Sequence, residues 1–216
     1  MSWAIWGEFC RRKHDASVLL QPINVHWVSS FLRGFNDARS ANIVQNFVAS
    51  VGMDDRWEKP PLGQFRLDID AGFNERDGCF DIDVVIRDDL GELVAAKTCP
   101  IHNPGSVFRG ELWALLLGME LSKMCGLSNV CVYSDSIEAI NVVRDEKGCL
   151  GTDGNIVKSI KELLMDGSFL RLLHMKRKTN DVTHKIAKFA LSCLRSYTWI
   201  FSGFPAWICN ITLNDL

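Results

Sequence analysis

Asp70 closes the run Phe65-Arg-Leu-Asp-Ile-Asp70, Glu111 opens Gly110-Glu-Leu-Trp-Ala-Leu, and Asp135 closes Val130-Cys-Val-Tyr-Ser-Asp135. Two strand ends and one helix start therefore each carry a carboxylate. A divalent cation that acts on phosphodiesters takes hard oxygen ligands, and rigid strand ends gather acids from distant parts of a chain better than loops do. The pattern points to magnesium-dependent nuclease chemistry at Asp70, Glu111 and Asp135. Each acid also has an ordinary reading. Asp135 begins Asp135-Ser-Ile-Glu138, a good capping box, and Glu111 falls in a first helical turn where the macrodipole favours an anion. Asp70 gains no obvious cap before Ala71-Gly72, so it is the hardest to explain structurally.

The elements that must position these acids are legible from periodicity. Phe65, Leu67 and Ile69 alternate with Arg66, Asp68 and Asp70, and a second strand-like run, Phe80 to Arg87, meets a third, Glu92 to Thr98, across Asp88-Asp-Leu-Gly91. Three antiparallel strands are expected. Leu112, Leu115, Leu116, Met119 and Met124 recur at helical spacing up to Gly126, before a strand over 129–134. A helix over about 136–145 follows, then a third marked by Asn155, Ile156, Ile160, Leu163 and Leu164, a strand over 169–174 and a last helix over about 181–196. The order βββαβααβα implies an α/β fold with a five-stranded mixed sheet and helices on both faces.

The 216-residue length and 47% hydrophobic content suit one well-buried domain with an appendage. The adjacent prolines of Trp57-Glu-Lys-Pro-Pro-Leu-Gly63 favour an extended linker. The expected organisation is a helical N-terminal extension over 1–56, a linker over 57–64, the main domain over 65–196 and a C-terminal tail over 197–216. A formal net charge of −2 argues against a globally basic surface, so any nucleic-acid contact must be local. The best basic cluster is Lys176-Arg-Lys178 with Lys185, Lys188 and Arg195 along the following helix. The eight cysteines include no CxxC pair and no zinc spacing with His, which fits reduced, packed thiols in a soluble intracellular protein. Glu8 breaks the short apolar start, so no secretory signal is expected, and the apolar run Leu112 to Met119 is too short to span a bilayer. His102 and His174 have no partner spacing that compels a ligand role.

Taken in order, Leu67-Asp-Ile-Asp-Ala-Gly-Phe-Asn74, the Val85-Ile-Arg-Asp-Asp-Leu-Gly91 hairpin, Glu111, Tyr133-Ser-Asp-Ser136 and Arg177-Lys-Thr-Asn-Asp-Val-Thr-His-Lys-Ile-Ala resemble the type 1 ribonuclease H domain, in the form found in plant proteins related to non-LTR retroelement polyproteins. The resemblance covers roughly residues 57–195. It implies a ribonuclease H-like fold and metal-dependent endonucleolytic hydrolysis of the RNA strand of an RNA/DNA hybrid. Two Mg2+ ions about 4 Å apart would be held by Asp70, Glu111 and Asp135, with Mn2+ as a possible substitute. It also implies that Arg177 holds the scissile phosphate through its guanidinium fork, and that Asn74 and Asn180 contact the hybrid. Double-stranded RNA is a second nucleic-acid partner of the same shape class. The expected state is a monomer away from membranes, and Trp3 and Trp6 in the extension leave a protein partner open.

The chain departs from the active pattern in three places. The fourth acidic position, four residues after Asn180, holds His184, and a neutral imidazole suits Mn2+ better than Mg2+. Asp181 is an imperfect substitute on the same helical face. Ala71 stands where the family usually has Gly, and Asp81 and Asp83 stand where it has small residues. A catalytically weak or inactive, retroelement-derived nucleic-acid-binding module is therefore the alternative reading.

Overall fold

The computed structural model describes residues 57–74, 79–102, 105–145, 151–177 and 195–214. Alternating apolar residues build the long meander β1 (Phe65–Asn74), β2 (Cys79–Arg87) and β3 (Leu93–His102), antiparallel throughout. Asp88 shapes the β2–β3 turn: its carboxylate accepts from the backbone N–H groups of Leu90 and Glu92, and Gly91 takes φ +84°. Helix α1 (Val107–Met124) then crosses to β4 (Val130–Ser134), which pairs parallel with β1. Two helices, α2 (Ile137–Arg144) and α3 (Gly154–Met165), lead to β5 (Phe169–His174), parallel with β4. The last described elements are β6 (Tyr197–Ile200) and α4 (Ala206–Asn214).

The sheet order is β5-β4-β1-β2-β3-β6, so it has six strands and not the expected five. The sixth comes from the stretch expected to be a tail, where Tyr197–Ile200 pairs antiparallel with Ala95–Thr98 of β3. Four residues are too few for a period-two signal. What recruits them is the open hydrogen-bonding edge of β3, which a free edge strand would leave exposed. The mixed sheet, the strand and helix order through β5 and the helices on both faces are as expected. The expected helix over 181–196 and the extension over 1–56 lie outside the described residues.

Because successive side chains of a strand point to opposite faces, the sheet has two different coverings. On one face Leu67, Ile69, Ile82, Val84 and Ile86 pack under Leu112, Leu115 and Met119 of α1 as the main core. Gly118 lets α1 approach closely, since a Cβ there would lie 2.8 Å from Ile69 Cγ2. On the other face Val85 packs with Ile208 of α4 and with Trp199 and Trp207. The remainder of that second face on β1 and β2 is polar yet buried: Arg66, Asp68, Asp70, Asp81, Asp83 and Arg87.

Arg66, Asp68 and Arg87 form one buried unit that captures the proline-containing stretch. Asp68 accepts from Arg66 Nε at 2.7 Å, from Arg87 Nη2 at 3.2 Å and from Trp57 Nε1 at 3.1 Å. The Arg87 guanidinium lies 3.6 Å from the Trp57 ring centroid, and that of Arg66 lies 4.1 Å from the Tyr133 ring. Burial alone would raise the Asp68 pKa, but the two guanidiniums hold it below the usual carboxylate value. Cys125 and Cys131 are buried thiols, as the cysteine spacing suggests. No helix among the described residues is long and apolar enough to cross a membrane.

Candidate metal centre

Strand lengths create the site. The β1–β4 pairing stops at Asp68↔Tyr133, whereas β1 continues beside β2 as far as Asn74↔Cys79. Past Asp68, the β4 side of β1 is therefore a notch in the sheet. Asp70 lies on β1 beside that notch, and Asp135 follows the last residue of β4. The start of α1 brings the third acid. Gly110 packs so tightly on β2 that a Cβ would fall 2.6 Å from Phe80 Cδ1, and Arg109 of the same turn pairs with Asp153 and Thr152 at the start of α3. Glu111 follows directly. Ligand oxygens of Asp70, Glu111 and Asp135 all lie within 4.8 Å of one another.

Three local expectations change. Asp70 does not end its strand, because β2 is long enough to pair with β1 for four residues more. Glu111 is not in a first helical turn. Ser106 caps α1 by accepting from Arg109 N–H, so the helix begins at Val107 and its first turn holds no acid. Asp135 is not the cap of α2 either, since the Ser136 hydroxyl accepts from Ala139 N–H at 3.3 Å. The ordinary capping and dipole readings of Glu111 and Asp135 are thereby removed.

The electrostatics suit a cation. Burial, with Asp135 and then Asp70 adding repulsion, pushes the Glu111 pKa up to about 9, against a smaller opposing pull from Arg177. Glu111 Oε2 is buried and, among the described residues, has no hydrogen-bond partner. A crowded, desolvated carboxylate of this kind is held either by a proton or by a cation that neutralises its neighbours as well. The all-oxygen donor set fits Mg2+ or Mn2+ better than a soft metal.

Around this cluster, Arg177 is exposed just beyond β5 and near enough to act on Glu111. Asn74 is the last residue of β1. Asn180 and His184 lie outside the described residues. His174, read as structural from its spacing, reaches the cluster's edge: its Nε2 lies 3.2 Å from the main-chain oxygen of Asp135. Only the Ser134↔His174 register of β4 and β5 brings it there, and nothing in its sequence spacing signals this. Asp83 is directly opposite Asp70 in the β1–β2 register, with Asp81 two residues before it on the same face. Burial, then Asp81 and Asp70, raise the Asp83 pKa well above the usual value, while burial raises Asp81 to about 6.

The N-terminal RNase H domain of a Mycobacterium tuberculosis protein, solved as a fusion with maltose binding protein, superposes with a TM-score of 0.50 at 17% identity, over 60% of this chain and 94% of that one. RNase H1 from Halobacterium salinarum gives a TM-score of 0.47 at 20% identity, over 60% of this chain and 98% of the other. An RNase H1 isolated from compost by a metagenomic approach gives 0.47 at 19% identity, over 61% and 97%. No curated protein matches the sequence. The fold is RNase H-like, and a family model described as reverse transcriptase-like matches residues 68–190, more than half of the 216 residues, so the chain belongs to the reverse transcriptase-like family.

Proposed function

We propose that this protein is a metal-dependent endonuclease that hydrolyses the RNA strand of RNA/DNA hybrids. The observation that carries this reading is the convergence of Asp70, Glu111 and Asp135, from three separate elements, within 4.8 Å beside a notch in an RNase H-like sheet. Asp70, Glu111 and Asp135 would hold Mg2+, two ions in the full site, with Mn2+ as substitute. When bound, such ions supply an activated water and stabilise the leaving 3′-oxygen of an in-line displacement. The chain's own residues do the rest. Asp70, on the central strand, fixes the position of the cluster, and buried Glu111 gives up its proton when it becomes a ligand. Arg177 offers a guanidinium fork to the phosphate from the exposed side, while Asn74 and Asn180 contact sugar or phosphate. His184 occupies the fourth place. The helix over 181–196 and the extension over 1–56 complete the proposed organisation around a domain whose sheet also takes in Tyr197–Ile200.

His184 and Ala71 in the sequence favour a second reading, a module that grips a hybrid or double-stranded RNA without cutting it. Cleavage of a labelled RNA/DNA hybrid in Mg2+ and then Mn2+, with Asp70→Asn in parallel, separates the two. Activity that Asp70→Asn abolishes while its circular dichroism stays unchanged supports the nuclease. Undiminished cleavage by Asp70→Asn rejects the site. A folded parent that binds hybrid and cuts in neither metal moves the conclusion to the binding module.

A further inference from the structure

The first turn of α1 and the start of α3 each forgo a local preference where they meet. Arg109 is the third residue of α1, where a cation faces the positive end of the helix dipole. Asp153 stands at the N-cap position of α3, where a carboxylate ordinarily accepts from N–H groups of the first turn, yet it makes no side-chain cap hydrogen bond. Its carboxylate accepts from Arg109 Nε instead, and Thr152 Oγ1 accepts from Arg109 Nη2. Gly105, at φ +92°, leaves room for the guanidinium, since a Cβ there would lie 3.0 Å from Arg109 Nη1. The Arg109 main chain is held as well, its N–H donating to Ser106 Oγ at 3.2 Å.

The side chains of Arg109 and Asp153 remain 30% and 19% exposed, and an ion pair that solvent reaches contributes little stability. What it supplies is orientation. Glu111 follows Arg109 by two positions, about 200° around an α-helix, so the two side chains leave nearly opposite sides of one turn. Arg109 faces α3, and Glu111 faces Asp70 and Asp135. Rotating that turn by about 10° carries a side-chain tip about 5–6 Å from the axis through about 1 Å. Metal–ligand distances are held to within about 0.2 Å. The charges that act on Glu111 are those of Asp135, Asp70 and Arg177, so Arg109 works through the turn it sits on and not through its own field.

We propose that Arg109, clasped by Asp153 and Thr152, is a positioning residue that sets Glu111 in the metal centre. The proposal rests on the metal-centre reading and adds α3, which holds none of the three acids, to the parts that build the site. A second tie between the same two helices supplies the comparison. Lys123, in the last turn of α1, pairs with Asp166 at the end of α3, roughly 18 Å along the helix from Glu111.

The test is the Mn2+ affinity of the full chain, read from the electron paramagnetic resonance of the free ion, beside unfolding by denaturant. Arg109→Gln removes a positive charge and Asp153→Ala a negative one, so charge alone would tighten Mn2+ binding in the first and weaken it in the second. Positioning weakens it in both, roughly tenfold or more, and Arg109→Gln/Asp153→Ala should bind no more weakly than the weaker single variant. Lys123→Gln should bind Mn2+ as the parent does. A folded Arg109→Gln or Asp153→Ala protein with the parent's affinity or better overturns the proposal. If Arg109→Gln does not fold, Thr152→Val, which changes no charge, reads the same clasp, and parental affinity in it counts equally against the idea. A Lys123→Gln protein that loses as much affinity as Arg109→Gln also overturns it, because any tie between the helices would then serve. Unchanged Mn2+ binding in Glu111→Gln/Asp135→Asn is a different result, which rejects the metal centre itself.

Discussion

Glu111 is the residue whose environment departs furthest from that of a free side chain at the centre, and its pKa has consequences that can be measured. Burial and the two neighbouring aspartates raise it from 4.5 to about 9, so the metal-free folded protein keeps a proton on Glu111 that the unfolded chain releases. Between those values the folded state binds more protons than the unfolded state, and stability falls as pH rises. The contribution is fully present below about 4.5 and is lost as pH climbs through about 9. In Glu111→Gln the unfolding free energy, measured by denaturant titration in a chelator, should lose this part of its slope between pH 4.5 and about 9. A slope identical to the parent's would mean Glu111 does not carry the proton. Metal binding must displace that proton, so Mn2+ affinity should strengthen as pH rises toward 9 and should be accompanied by proton release in calorimetry. Asp68 behaves in the opposite sense. Its pKa is lowered, so its stabilisation is present above about 3.8 and is lost as pH falls below it.

At the scale of elements, α1 acts as a lever that carries Glu111. Its start is pressed onto β2 at Gly110, where the nearest atoms to an added Cβ would be Phe80 Cδ1 at 2.6 Å and Cε1 at 2.9 Å. Phe80 is itself buried, so the ring cannot swing away freely. Gly110→Ala gains about 1 kcal/mol in helix propensity and loses about 1–3 kcal/mol in overpacking. A net destabilisation of about 1 kcal/mol is therefore expected. Mn2+ binding should weaken by more than that loss alone would give, because the residue after Gly110 is the ligand. A variant as stable as the parent, with unchanged Mn2+ affinity, would show that this contact does not position Glu111. The start of this helix also illustrates a limit of reading sequence. The apolar period from Leu112 onward located the buried stripe of α1, but Ser106 and the turn Val107-Phe-Arg-Gly110 carry no such period, and the helix begins five residues before that stripe.

For the whole molecule, the proline-containing stretch is part of what holds the sheet's polar face together. Trp57 fills the space over two buried guanidiniums, and Asp68 bonds to both of them and to the indole. Trp57→Ala should cost about 3–5 kcal/mol in unfolding free energy. Asp68→Ala should cost a similar amount, about 3–5 kcal/mol, since it leaves Arg66 and Arg87 buried without their shared carboxylate. Losses under 1 kcal/mol in both, by chemical denaturation, would show that this cluster is solvated in solution. The strand β6 matters at the same scale, because it pairs with the outer edge of β3 and its Trp199 packs toward Val85 and Ile208. A chain ending at Ser196 should lose stability and associate through the uncovered edge, which light scattering would detect.

Local signals determined much of this protein. Alternation in Phe65 to Asp70, the turn Asp88-Asp-Leu-Gly91, the helical stripe of Leu112 to Met124 and the shorter runs up to His174 were enough to give the element order through β5 and the mixed sheet, while the order of motifs that resembles ribonuclease H singled out the three acids. Such signals are legible because side-chain period and turn chemistry are properties of a few neighbouring residues. Tertiary structure decided what depends on pairing between distant segments. It fixed the early end of the β1–β4 pairing that opens the notch and the approach of His174 to Asp135. It also set the register that puts Asp83 against Asp70, and the four residues of β6 that exist as a strand only because β3 offers an edge. Register and edge occupancy are set by which surfaces remain to be buried or hydrogen-bonded once the sheet assembles, and no short window of sequence contains that information.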